Sequence, residues 1–238
     1  MLMSNRVVIV GDVHGMLAEV RALVDSIGLT KTDVLVSAGD LLDKGPDSAG
    51  VVRFFRELRE QGFNVVLVKG NHEEKHERFR KAFAASPDGA SKFKNSEELR
   101  RITEALSPED VAFLNTAVMF HAIPEHNALV VHAGVLPDMR SFPTSTEWAA
   151  MSKGEQEKFN RVLRVRHVTG RATTKLTVEI NFPFEVTHPE EAMADGRWTD
   201  FAVTKTSVRP KGSFVSLGEE QPEDPFWAEV YDGRFGRI

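Results

Sequence analysis

Three short apolar runs near the start of the chain, Val7–Val10, Asp33–Ser37 and Asn64–Val68, each lead into a glycine beside an acid or an amide. Between the first two, Leu17, Val20, Leu23, Val24 and Ile27 recur at helical spacing and stop near Gly28, which predicts a helix over Met16–Ile27. A second helix is expected from Ala49 to about Gln61, with Ser48 as its cap and Gly62 as its close. A third carries Glu73 to Ala85. This β-α-β-α-β order constrains the fold more than any other feature, because it calls for parallel strands with covering helices. In such sheets ligands sit beyond the carboxyl ends of the strands. All three runs deliver their polar residues and glycines at that edge.

The rest of the chain is less regular. Pro87 to Asn95 reads as a polar linker, followed by helices over Asn95–Leu106 and Pro108–Thr116, the second capped by Ser107 with Pro108 in its first position. Val118–Ile123 and Ala128–Val131 read as a hairpin joined across Pro124-Glu125-His126-Asn127. A helix is expected from about Thr146 to Leu163, and Thr169–Gln221 shows no clear period. One domain is expected over residues 1–238, with about 142–224 partly an insertion or lid.

Composition enters through what it forbids. The chain has no cysteine, which excludes disulfides, zinc ribbons, iron–sulfur sites and a thiol nucleophile, and suits a reducing compartment. A metal site would have to come from His, Asp, Glu and Asn, which favours hard or borderline metals. The net charge of −5 gives no strong nucleic-acid-binding signal. Without a signal peptide or an apolar run of membrane-spanning length, the expectation is a soluble, cytoplasmic protein with no membrane partner.

Four strings carry chemistry: Gly11-Asp12-Val13-His14-Gly15, Gly39-Asp40-Leu41-Leu42-Asp43-Lys44-Gly45, Gly70-Asn71-His72-Glu73 and His132-Ala133-Gly134. Each follows a predicted strand, and together they bring oxygen and imidazole ligands to one sheet edge. Such a set can surround two divalent cations, which clamp a phosphoryl group and acidify a bridging water.

In these strings the sequence resembles the calcineurin-like metallophosphoesterase superfamily, and most closely its phosphoprotein-phosphatase branch, over about residues 6–137. The string His132-Ala133-Gly134-Val135-Leu136-Pro137 is closer to bacterial members, among them symmetrical bis(5′-nucleosyl)-tetraphosphatases and small Ser/Thr protein phosphatases. The resemblance implies an α/β fold, a β-sandwich flanked by helices, and two divalent metals, with Mn, Fe or Zn as candidates. It implies that Asp12 and His14 bind the first metal, that Asp40 bridges both, and that Asn71 and His132 hold the second. His72 matches the general acid that protonates the leaving oxygen, and Asp43 the residue that orients it. A hydroxide bridging the metals would attack phosphorus.

Two features depart from the family pattern. Lys44 stands where the family has a phosphate-binding Arg, so a point charge replaces a planar fork. Arg164 or Arg166 would supply the second phosphate contact, ahead of Arg171. No Gly-His pair follows His132, so a further ligand of the second metal is missing. The expectation is that the chain stops short of that histidine, the alternative being that His167 or His188 substitutes. The remaining candidates read plainly. Glu73 starts a helix, where its carboxylate suits the dipole. His76 lies in a charged helix and reads as a surface residue, while His121 and His126 read as structural or exposed.

The reading favours hydrolysis of a phosphomonoester, in a small molecule or a phosphoprotein. The alternative is a dinucleoside-polyphosphate hydrolase, which would need base-stacking aromatics such as Trp148, Trp198 or Trp227. A third possibility is a non-catalytic metal- or phosphate-binding module.

Overall fold

In the computed structural model, strands β1 (Val7–Val10), β2 (Val34–Ser37) and β3 (Asn64–Leu67) pair in parallel in that order. The structure describes residues 6–170, 173–181, 200–209, 211–216, 218–231 and 233. Helices α1 (Leu17–Ser26) and α2 (Ser48–Glu60) make the two crossovers. Successive side chains of a strand point to opposite faces, and the packing follows that alternation. Val8, Val10, Leu35, Val65 and Leu67 join the helix side, where they meet Val20, Val24, Val51, Val52 and Phe55. Val7, Val34, Val36 and Val66 point the other way and cluster with Val68, Ile123 and Val130. The last two belong to the antiparallel pair β4 (His121–Ile123) and β5 (Ala128–Val130). Both faces of the parallel sheet therefore carry apolar partners, as such sheets require. The α/β architecture expected from the sequence is the one observed.

Helix ends explain where the boundaries differ from expectation. Asp47, not Ser48, caps α2: its carboxylate accepts from the Gly50 N–H at 2.7 Å. Ser48 instead turns its hydroxyl toward the Asp43 N–H, 3.0 Å away. Three residues separate helix α3 (Asn71–Ala85) from the end of β3, with Gly70 at its N-cap. The expected linker that follows contains a one-turn helix, α4 (Pro87–Ala90), and Ala90 and Phe93 pack with Phe79 and Leu99. Helices α5 (Ser96–Ala105) and α6 (Pro108–Leu114) lie where their periodicity placed them. Ser107 and Asp110 cap α6 reciprocally, each bond 3.1 Å long.

The single helix expected over Thr146–Leu163 is three pieces: α7 (Ser145–Ala150), α8 (Lys153–Glu157) and a 3-10 stretch over Lys158–Leu163. Two capping boxes divide it. Thr144 pairs with Glu147, and Ser152 pairs with Glu155, so the second start signal interrupts the first helix. These pieces enclose a second core of Leu136, Val162, Leu163 and Val165, edged by Phe120, Phe142, Trp148 and Phe159. The segment without clear period contains a long antiparallel pair, β6 (Thr173–Asn181) and β7 (Asp200–Arg209). Among the described residues no helix is long and apolar enough to cross a membrane.

Candidate metal centre and its cleft

The loops leaving the three parallel strands are tied to one another before any side-chain chemistry begins. Asp40 C=O accepts from the N–H groups of Val13 and His14, and Leu41 C=O from that of Gly15. His14 C=O in turn accepts from the Gly45 N–H at 2.8 Å. Glu73 joins the second loop to the third. Its buried carboxylate accepts from the backbone N–H of Asp40 (2.7 Å), Leu41 (2.8 Å) and Gly70 (2.9 Å). Burial, together with the charge of Asp40, pushes the Glu73 carboxyl up, and the three donations oppose that shift. Glu73 does open α3 as the sequence suggested, but it also clamps the Asp40 turn.

That turn needs a clamp. His14, Asp40, Asp43 and Lys44 all have positive φ, a left-handed backbone that side chains with a Cβ rarely adopt. Gly70 makes the close approach possible, because a Cβ there would collide with Asp40 Oδ1.

Around Asp40 the side chains converge. His14 Nδ1 faces the Leu42 carbonyl at 2.8 Å and His132 Nδ1 faces the Ala38 carbonyl at 2.9 Å. Donation from each Nδ1 to its carbonyl leaves each Nε2 as a lone-pair acceptor. The His14 Nε2 lies 3.4 Å from Asp12 Oδ2 and 3.5 Å from Asp40 Oδ2. The His132 Nε2 lies 3.5 Å from Asp40 Oδ1 and 3.1 Å from Asn71 Oδ1. His72 places its Nε2 3.8 Å from Asp40 Oδ2, while its Nδ1 meets Asp43 Oδ2 at 2.6 Å.

Two groups of potential ligands result, His14–Asp40–His72 and Asp12–Asp40–His132, and Asp40 is common to both. The Asp40 carboxylate is only 4% exposed and faces these imidazoles at distances too long for hydrogen bonds. Asp40 Oδ1 accepts from the His72 backbone N–H at 3.0 Å, and a buried carboxylate beside the Nε2 lone pairs of His14 and His132 suits cations between them. The donor set, oxygen and imidazole, suits Mn, Fe or Zn. The residues present fit the divalent metals that the sequence implied.

Asp43 is the second buried carboxylate. Burial pushes its carboxyl up, but donations from His72, His76 and Lys75 outweigh burial and hold it far below the ordinary carboxylate range. His76 is thus a correction to the sequence reading: it is fully buried, not a surface residue, and its Nε2 meets Asp43 Oδ1 at 2.7 Å.

Next to the metal ligands lies a cavity of about 370 Å³, lined among others by Asp12, Asn71, His132, Arg164, Arg166 and Phe226. Both expected arginines therefore face it. Arg164 donates to Glu74 Oε2 at 2.7 Å, and Arg166 sits on a short stretch whose C=O accepts from the Trp227 N–H. Lys44 is not part of this lining, and its Nζ lies 2.7 Å from His14 Nε2. His167 enters neither ligand group among the described residues. His188, Arg171 and Trp198 lie outside the described residues.

Of the aromatics suggested for base stacking, Trp148 and Trp227 are partly buried and edge the second core: Trp148 packs with Phe120 and Phe159, and Trp227 packs against Gly134. The ring that does reach the cavity is Phe226, 41% exposed. Nothing in its sequence neighbourhood marks it. His76 had a signal, its i+4 spacing from His72 on one helix.

A family model described as calcineurin-like phosphoesterase matches residues 5–168. Symmetrical bis(5′-nucleosyl)-tetraphosphatase from Nitrosospira multiformis is 32% identical over 130 residues, and that from Aromatoleum aromaticum 35% identical over 136. The matches cover 54% and 56% of this chain but 43% and 46% of those proteins, so the chain spans less than half their length. A solved metallophosphoesterase from Sphaerobacter thermophilus matches at 22% identity and a TM-score of 0.39, over 51% of this chain and 44% of its own. The family match takes in every one of the four loops that meet at Asp40, and the chain belongs to the calcineurin-like phosphoesterases.

Proposed function

We propose that this chain is a two-metal phosphoesterase whose preferred substrate is a dinucleoside polyphosphate. The observation that carries the substrate class is the cavity, which puts two arginines and an exposed phenyl ring beside three of the metal-ligand candidates. A phosphoprotein would need no ring there. A substrate with a polyphosphate and a base at each end would use both kinds of contact. The names of these relatives, symmetrical bis(5′-nucleosyl)-tetraphosphatases, support the same choice over the phosphomonoester favoured by the sequence.

In this reading Asp12, His14, Asp40, Asn71 and His132 would hold two divalent cations, Asp40 being common to both ligand groups. When bound, the cations would supply Lewis-acid polarisation of the phosphoryl group and of the attacking water. The protein's own groups do the rest. Asp43 fixes the His72 ring through Nδ1, so that Nε2 faces the cleft and gives its proton to the leaving oxygen as the P–O bond breaks. Arg164 and Arg166 neutralise phosphate oxygens and Phe226 offers a face to one base, while Lys44, outside that lining, adds positive charge beside His14.

The test compares kcat/KM for diadenosine tetraphosphate, a phosphoserine peptide and an aryl phosphate, each with Mn. The expected result is preference for the dinucleotide and two nucleoside diphosphates as products. Preference for the phosphopeptide would overturn the substrate class. Phosphate binding with no turnover of any ester would favour a binding module.

A further inference from the structure

Three side chains of α3 end on one carboxylate. His72, Lys75 and His76 stand at i, i+3 and i+4, so they share a helix face. All three reach Asp43: His72 Nδ1 at 2.6 Å and Lys75 Nζ at 3.1 Å on Oδ2, and His76 Nε2 at 2.7 Å on Oδ1. Asp43 sits at a φ of 69°, where the backbone does not hold an aspartate by preference. Its geometry has to come from its partners.

His76 is the costly member of this set. It is fully buried, and its Nδ1 meets no hydrogen-bond partner among the described residues. A leucine or methionine of similar volume would fill the same space without that unpaired nitrogen, so stability alone does not account for an imidazole here. What the imidazole adds is one short donation to the Asp43 oxygen that His72 leaves free. That second donation stops the carboxylate from rotating, and a carboxylate that cannot rotate holds the His72 ring.

We propose that His76 is a positioning residue, which locks Asp43 so that His72 presents its Nε2 to the leaving oxygen. The inference rests on the reading of His72 as the proton donor. Proton donation matters most when the leaving group is a poor one, so an alkyl phosphate ester depends on a well-placed His72 far more than an aryl ester does. Loss of a group that orients an active-site residue typically costs about 10- to 100-fold in activity.

The test is kcat and KM of His76→Leu and His76→Gln with an alkyl and an aryl phosphate ester, beside His72→Asn. His76→Leu should lower kcat on the alkyl ester about 10- to 100-fold with KM unchanged, and lower it much less on the aryl ester. His76→Gln keeps a donor and should recover most of the loss. Equal losses on both esters would mean a structural role and overturn the proposal. If His72→Asn shows no dependence on the leaving group, the reading of His72 has failed. If it does and His76→Leu does not, only His76 has been misassigned.

A readout free of turnover is the Nδ1-bound proton of His72 in proton NMR. It should persist in wild type and His76→Gln, and exchange away faster in His76→Leu. Equal exchange in wild type and His76→Gln, should His76→Leu not fold, supports the proposal, and faster exchange in His76→Gln overturns it.

Discussion

Two regions meet at the cleft and are built in opposite ways. The loops after the parallel strands hold Asp40 and Asp43 at 4% and 6% side-chain exposure, in left-handed backbone clamped by Glu73 and by three donors from one helix. The stretch around residues 163–168, with Phe226 paired alongside it, anchors itself by Leu163, Val165 and Val168 but offers Arg164, Arg166 and Phe226 as exposed side chains on short irregular backbone. Its Arg164 side chain is tied, among the described residues, by an ion pair to Glu74. Chemistry that must place atoms to a fraction of an ångström uses the first kind of construction. Recognition, which tolerates movement of the ligand's ends, uses the second.

If that contrast is right, substitutions on the two sides should fail differently. The largest effect belongs to Asp40→Asn, which removes the ligand common to both groups. Turnover should fall at least about 10³-fold, with bound metal lost by elemental analysis. A variant that kept its metal and most of its rate would break the picture of the rigid side. Glu73→Gln turns one acceptor into a donor facing a backbone N–H. Titration calorimetry with Mn should then show metal affinity weakened about 10- to 100-fold.

On the other side, Phe226→Ala should raise KM for diadenosine tetraphosphate about 10-fold and leave the aryl phosphate unchanged. Similar losses on both substrates would show that Phe226 supports the fold rather than a base. The mildest change is Glu74→Gln. It frees an Arg164 whose side chain is 41% exposed, so KM should move by no more than about threefold.

Away from both regions, Glu77 shows how pH enters. Burial pushes its carboxyl up, but Lys81 and Lys69 outweigh burial and bring it down to about 2. A depressed carboxyl stabilises the fold above its unfolded value and loses that contribution as pH falls through the folded one. Wild type should therefore lose stability relative to Glu77→Gln between about pH 4.5 and pH 2 in denaturant titrations. The difference should be on the order of 1 kcal/mol, because partial exposure screens the pair.

The same contrast explains which features are legible in the residues alone. Strand ends with Gly and Asp or Asn are local patterns, so the sequence itself marks Asp12, His14, Asp40, Asn71 and His132. The three parallel strands and five of the helices also follow from local patterns that neighbours share. His76 reads wrongly from sequence because a helix rich in Glu, Lys and Arg looks solvated, although one of its faces turns to Asp43. The stretch over 146–163 reads wrongly as one helix because a second capping box outweighs continuous composition. The position of Phe226 is invisible: its place in the cavity comes from pairing with His167, 59 residues earlier, and no local pattern encodes such a contact.

Everything proposed for the cleft depends on Asp40 lying between two metals. Crystals of the protein grown with Mn, measured for anomalous scattering, test this directly. Two peaks should flank the Asp40 carboxylate, one toward His14 and one toward His132 and Asn71. A single peak, or metal bound away from Asp40, would contradict the account.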